Sequence, residues 1–332
     1  MDNSLLNLTR DECAHRSKVI DLDTYRIELD LHAIDDPKTT TFASSSTVEF
    51  TPSEDKTWLD LVADSVTSVT VNGKDHPDDA KAYNGARVPI TGLEVGKHNT
   101  VTVVAQCKYS RTGEGLHRFT DTADGKTYAY THFEPTDARR MYACFEQPDL
   151  KARITFVITA PKASGVFSNQ DAVSDKPGDN DTHTVTFNPT PPLSTYLTSI
   201  AVGPYYVVRD EFKEGDLKIP LAAICRESMK QYLDPKEVFR VTKAGLTFFN
   251  DAFGYTYPWG KYDSIFLPEY NIGAMEHPGL VTFSENAYIF RGTPTTMQRE
   301  NLANVILHEM THMWFGDLST PRWWNDTWLK ER

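Results

Sequence analysis

Between residues 25 and 33 the chain reads Tyr-Arg-Ile-Glu-Leu-Asp-Leu-His-Ala, with apolar and polar side chains in strict alternation. A period of two places every second side chain on one face, which predicts a strand with one buried side. Residues 47–50, 57–62, 66–71, 100–105, 154–158, 183–187 and 195–202 continue as short strands. Asn72-Gly73 is a tight-turn pair after the third of these. Residues 171–181 are rich in Asp, Gly and Pro and predict an exposed loop. Short strands with turn residues at these intervals predict an antiparallel β-sandwich.

The pattern changes after residues 204–210. Residues 217–223 predict a last strand or hairpin. Residues 235–253 predict a helix, because Pro235 suits its first turn. Val238, Val241, Leu246, Phe249 and Phe253 form the apolar stripe, and Gly254 marks the stop. Strands follow at 264–267 and 280–283, with a loop at 273–276 between them. A further helix is expected after Thr295, which forms a capping box with Gln298. Leu302, Val305, Ile306 and Met313 supply its apolar stripe and Gly316 its end. The fold class is α+β: an amino-terminal antiparallel β-sandwich domain, 1–205, followed by a second domain, 206–332.

Composition narrows the function classes. A length of 332 residues accommodates two cores. A net charge of −12 excludes the basic face that nucleic-acid binding requires. No apolar run approaches the roughly 20 residues of a membrane span, and residues 1–20 carry no apolar signal core. Cys13, Cys107, Cys144 and Cys225 are dispersed, with no metal-like pair. A reduced, cytoplasmic setting is expected, with no membrane or nucleic-acid partner.

The chemistry is concentrated in His308-Glu309-Met310-Thr311-His312. On a helix, positions four apart share a face, so His308 and His312 can offer two imidazoles to one metal ion. Glu309 lies about 100° further round, beside the metal, where a general base for activated water is needed. Catalytic zinc takes three protein ligands. Glu331 follows His312 after eighteen residues, on a segment from Trp323 that predicts the start of another helix. It is the candidate third ligand.

This His308-Glu309-x-x-His312-x18-Glu331 arrangement, preceded by Gly273-Ala274-Met275-Glu276, resembles the zinc aminopeptidase N family. The blocks Phe133-Glu134-Pro135-Thr136-Asp137-Ala138-Arg139-Arg140 and Cys144-Phe145-Glu146-Gln147-Pro148-Asp149 resemble the family's amino-terminal domain. His277 departs from the pattern, which has Asn there. The resemblance implies a thermolysin-like catalytic domain, one zinc ion and a zinc-activated water with Glu309 as base. It also implies peptide substrates with a free amino terminus, held by Glu134 and Glu276. Gly273, Ala274 and Met275 would line the substrate chain. His132 is either a lone histidine or part of the pocket for the first side chain.

Family members continue well past Glu331, so the chain is expected to be the amino-terminal portion, truncated within the catalytic domain. On that expectation the fragment alone has little or no activity, and Trp314, Trp323, Trp324 and Trp328 are exposed. Two alternatives stand beside the aminopeptidase: a thermolysin-type zinc endopeptidase and a non-catalytic binding fragment. An epoxide-hydrolysing relative uses the same zinc framework.

Overall fold

The computed structural model describes residues 7–331. Its largest sheet has eight strands, in the order Ala172–Pro177, Thr182–Phe187, Arg153–Pro161, Ile20–Asp30, Thr41–Pro52, Asn99–Lys108, Ser65–Val71 and Lys74–Asp75. All pairings are antiparallel except one: Ile20–Asp30 runs parallel to Arg153–Pro161. The alternation read from residue 25 is realised, with Tyr25, Ile27 and Leu29 buried and Arg26, Glu28 and Asp30 exposed. A second, four-stranded sheet has the order Gly165–Ser168, Ile200–Gly203, Thr127–His132, Gly115–Thr120. Ile27, Val48 and Phe156 from the first sheet share one core with Leu116, Ala129 and Val202 from the second. That shared core makes the sandwich.

The second half is built on a mixed five-stranded sheet, ordered Tyr205–Glu214, Leu217–Arg226, Tyr262–Leu267, Leu280–Ser284, Ala274–Met275. The first two strands are a hairpin, as expected for residues 217–223. The next two pairings are parallel. Tyr262–Leu267 is buried along its whole length, the pattern of a strand covered on both faces. Among the described residues five α-helices accompany the sheets: α1 (Arg10–Val19), α2 (Pro77–Lys81), α3 (Pro235–Phe253), α4 (Glu285–Tyr288) and α5 (Thr296–His312). Helix α3 matches its expected bounds, and Gly254 closes it at φ 60°, a left-handed cap that glycine adopts without strain.

Four expectations are corrected. Residues 195–202 are not one strand: Thr195–Leu197 is a 3-10 turn and the strand is Ile200–Gly203. The expected loop at 171–181 contains the edge strand Ala172–Pro177. Ala274–Met275, expected as loop, pairs with Leu280–Ser284. Of the four tryptophans expected at the surface, Trp314 is buried, Trp323 and Trp324 are half-buried, and Trp328 is exposed. Trp314 stacks on Phe253 at a centroid distance of 5.3 Å. Helix α1 lies in the stretch read only as lacking a signal core, of which residues 1–6 fall outside the described ones. No helix among the described residues is long and apolar enough to cross a membrane.

The two halves meet along a polar seam. Arg226, at the end of its strand, forms ion pairs with Asp121 at 2.5 Å and Glu285 at 2.8 Å, all three buried. Asn169 donates to the carbonyls of Leu197 at 3.0 Å and Pro278 at 2.9 Å. Gly279 packs so closely that a Cβ there would stand 1.9 Å from the Asn169 carbonyl oxygen, and its φ is +79°. Only glycine tolerates both demands.

Candidate metal and amine-binding site

Helix α5 begins at the expected capping box: the Thr295 hydroxyl accepts from the Gln298 N–H, and the Gln298 side chain accepts from the Thr295 N–H. Leu302, Ile306 and Met310 turn inward, each worth roughly 1.5–3 kcal/mol when fully buried. This buried stripe fixes the rotation of the helix. The helix ends at His312, so Gly316 is not its stop. Gly316 has φ 134°, and a Cβ there would lie 3.2 Å from His312 Nδ1. It lets the chain fold back until the Phe315 carbonyl reaches that nitrogen at 3.2 Å. Such a bond keeps the proton on Nδ1 and leaves Nε2 free as a ligand.

His308 Nε2 and His312 Nε2 are 3.2 Å apart. Glu331 Oε2 lies 3.7 Å from the first and 3.8 Å from the second. A tetrahedral ion bonded at about 2.0–2.2 Å needs its ligand atoms roughly 3.3–3.6 Å apart. The imidazole pair falls about 0.1 Å short of this range and the carboxylate a few tenths of an ångström beyond it. Two imidazoles and a carboxylate are a donor set that suits zinc. His312 is 3% exposed on its side chain and His308 46%, so the site is walled on one side and open on the other. Burial pushes His312 below the usual histidine range, favouring the neutral ring a metal requires. Glu331 does not sit on a helix as expected. It follows a 3-10 turn, Trp324–Leu329.

Glu309 is buried on the inner face of α5. One of its oxygens, one from Glu276 and a His312 ring nitrogen all lie within 4.8 Å of one another. Burial, then Glu276, pushes its carboxyl well above the usual carboxylate range. Oxygens of Glu134, Glu276 and Glu331 make a second such group within 4.8 Å. Glu134 arrives from the first half, two residues beyond the strand Thr127–His132, and Glu276 from the turn after Ala274–Met275. Burial and then Glu276 push Glu134 up to about 7. Among the described residues Lys330 is its ion-pair partner, at 2.8 Å.

Six of the nine residues singled out from sequence therefore converge: His308, Glu309, His312, Glu331, Glu276 and Glu134. Met275 is buried beside Glu276, and Ala274 is half-buried on the sheet edge. Gly273 is exposed, with its carbonyl accepting from the Ser284 N–H at 2.8 Å, so its visible work is in the turn. His277 is fully buried. Its Nδ1 meets the Thr282 hydroxyl at 3.2 Å, and burial holds it well below the usual histidine range. His132 is buried in a T-shaped contact with Tyr270, 5.7 Å between centroids. Sequence reasoning missed Lys330, whose Nζ is 2.6 Å from Glu276, 2.7 Å from Glu331 and 2.8 Å from Glu134.

The description "Peptidase M1 N-terminal domain" matches residues 23–197, and "Peptidase family M1 domain" matches residues 238–332. Aminopeptidase N of Streptomyces lividans is 44% identical over 327 residues, 98% of this chain and 37% of that protein. Glutamyl aminopeptidase of Rattus norvegicus is 35% identical over 220 residues, 65% of this chain and 23% of its own length. Aminopeptidase N of Bos taurus is 33% identical over 250 residues, 73% of this chain and 25% of its own length. The chain thus spans little more than a third of the Streptomyces lividans protein and about a quarter of the other two. With both halves matched and the ligand-like cluster formed by the matched segments, this chain belongs to peptidase family M1, a family of metallopeptidases.

Proposed function

We propose that the protein is a zinc-dependent aminopeptidase that hydrolyses the first peptide bond of peptides bearing a free amino terminus. The observation that carries this reading is the placement of two acids, Glu134 and Glu276, beside the His308–His312 pair. An ammonium is well held by carboxylates in a partly desolvated cleft. An internal amide carries no charge to repay their burial, which disfavours cleavage within a chain.

His308, His312 and Glu331 would hold the zinc, which when bound polarises the scissile carbonyl and acidifies water. Glu309 accepts the proton of the attacking water on a carboxylate oxygen and passes it to the leaving nitrogen. Its buried setting raises its basicity for the first transfer. Glu134 and Glu276 orient the substrate by its amine, fixing which peptide bond meets Glu309. Ala274–Met275 forms an outer strand of its sheet, and its free edge can pair with an extended peptide main chain. A reducing, cytoplasmic setting belongs to the same reading and is supported by four buried, unpaired cysteines.

A matched pair of reporters tests this on the full-length protein: an aminoacyl substrate with a free amine and its N-acetylated form. Cleavage of the free-amine form is expected, with the acetylated one inert. Preference for the acetylated form would transfer the site to the endopeptidase class.

A further inference from the structure

Glu276 opens the connection between the strands Ala274–Met275 and Leu280–Ser284. The Leu280 N–H donates to the His277 carbonyl at 3.1 Å, which closes a four-residue turn. Pro278 and Gly279 lie inside it, and Gly279 has φ +79°. Proline followed by a left-handed glycine is the signature of a type II turn. The strand ahead of Glu276 is only two residues long, so main-chain pairing holds this carboxylate with few bonds.

A side chain supplies a further tie. The His277 ring folds back onto the neighbouring strand, with Nδ1 3.2 Å from the Thr282 hydroxyl. Thr282 pairs in register with Met275, the residue before Glu276. Its hydroxyl also meets the Tyr270 hydroxyl at 2.7 Å. The Tyr270 ring abuts His132, on the strand that leads to Glu134. His277, Thr282, Tyr270 and His132 are all buried, so this chain of contacts runs behind both acids and out of water.

A neutral imidazole offers one donor and one acceptor nitrogen. The His277 Nε2 is buried with no partner among the described residues, so the ring's bond to the fold is the one to Thr282. Asparagine, which the family pattern has at this position, carries its amide oxygen and nitrogen two bonds beyond Cβ. Nδ1 of histidine stands at the same remove. Either residue can therefore make the Thr282 bond.

We infer that His277 is a positioning residue for the substrate amine: its Nδ1 bond to Thr282 locks the turn and so holds Glu276 in place relative to Glu134 and the His308–His312 pair. The inference rests on reading Glu134 and Glu276 as the amine anchor. His277 acts through Glu276. A carboxylate already set in position binds an ammonium without first being ordered, and one free to swing binds it less tightly.

The test is steady-state kinetics of the full-length protein on a free-amine aminoacyl reporter, beside elemental analysis for zinc. His277→Ala is expected to raise KM about two- to tenfold, the worth of one neutral hydrogen bond, with kcat and zinc content near wild type. His277→Asn should return KM to the wild-type value, because it restores the bond. Placed on Glu276→Gln, His277→Ala should raise KM no further, since the residue it positions has lost its charge. A wild type that cleaves the N-acetylated reporter as readily would sink the amine-site reading itself. With wild type selective for the free amine, any of four results would overturn the His277 inference alone. These are an unchanged KM in His277→Ala, a His277→Asn as poor as His277→Ala, a KM rise that persists in full on Glu276→Gln, and a joint fall of kcat and zinc content that marks general loss of structure. Should His277→Ala be unfolded as purified, Thr282→Val breaks the same bond from its other end and leaves the ring in place. It should show the same KM rise, and a wild-type KM there overturns the inference.

Discussion

A methyl group placed on Gly245 would lie 2.7 Å from the Sδ of Met310. Gly245 is a buried position of α3, and Met310 stands between the two histidines of α5. The same methyl would also be 2.7 Å from Leu307 Cδ2. One missing side chain therefore sets how closely the two helices approach, and with it the position of His308 and His312.

Gly245→Val is expected to push Leu307 and Met310 outward. Overpacking of this kind typically costs about 1–3 kcal/mol. A lowered melting temperature together with reduced zinc content is the expected result. A variant with full zinc content would show that α5 adjusts without moving its ligands.

Glu309→Gln keeps the shape of the side chain and removes its basicity. A positioned general base contributes on the order of 10²–10⁴ in rate. In the full-length protein kcat should fall by that factor with zinc content unchanged, read by steady-state kinetics beside elemental analysis. Retained activity would remove Glu309 from the proposed mechanism.

His312→Ala removes the more buried imidazole and its bond to the Phe315 carbonyl. Zinc content should fall below one equivalent, and activity with it. Dialysis of wild type against a chelator should abolish hydrolysis, and zinc should restore it. Dependence on another ion alone would argue against the zinc assignment.

Glu146 carries a stability effect away from the site. Its carboxylate accepts from the Arg139 N–H and the Thr195 hydroxyl, both at 2.7 Å, yet burial pushes its carboxyl up to about 7. A carboxyl raised in the folded state binds its proton more tightly there than in the unfolded chain. Its contribution to stability is thus complete below the unfolded value, near 4.5, and is lost as pH rises through about 7. The loss is on the order of 3 kcal/mol at most. Denaturant titrations should show a flatter stability profile between pH 5 and 8 for Glu146→Gln than for wild type. Parallel profiles would mean that the charge of Glu146 is compensated in the fold.

Legibility in the sequence followed burial. Ile20–Asp30 was readable because it buries one face only, so its neighbours alternate. Thr127–His132 is buried throughout and shows no period of two, which is why it went unseen although it delivers Glu134. Ala172–Pro177 is largely exposed and composed like a loop. Helix α1 is polar along most of its length, and its only local signal was the Thr9–Glu12 capping box. Of the site, His308, Glu309 and His312 were legible because helical spacing alone brings them together. Glu134 and Glu276 needed a family resemblance, being 142 positions apart in the chain. Lys330 gave no signal: a lysine is ordinarily a surface residue, and only its neighbour Glu331 together with two acids from distant segments, Glu134 and Glu276, make it otherwise.

The Arg226 seam has a bearing on working conditions. Dissolved salt weakens charge pairs that water can reach, over a Debye length of about 8–10 Å near physiological strength. Lys97–Glu94 is such a pair, with both side chains more than half exposed. Arg226, Asp121 and Glu285 are sealed from the electrolyte. Brine that erases the surface pairs should leave the contact between the two halves gripped as firmly as before, and the spacing of Glu134 from Glu276 along with it.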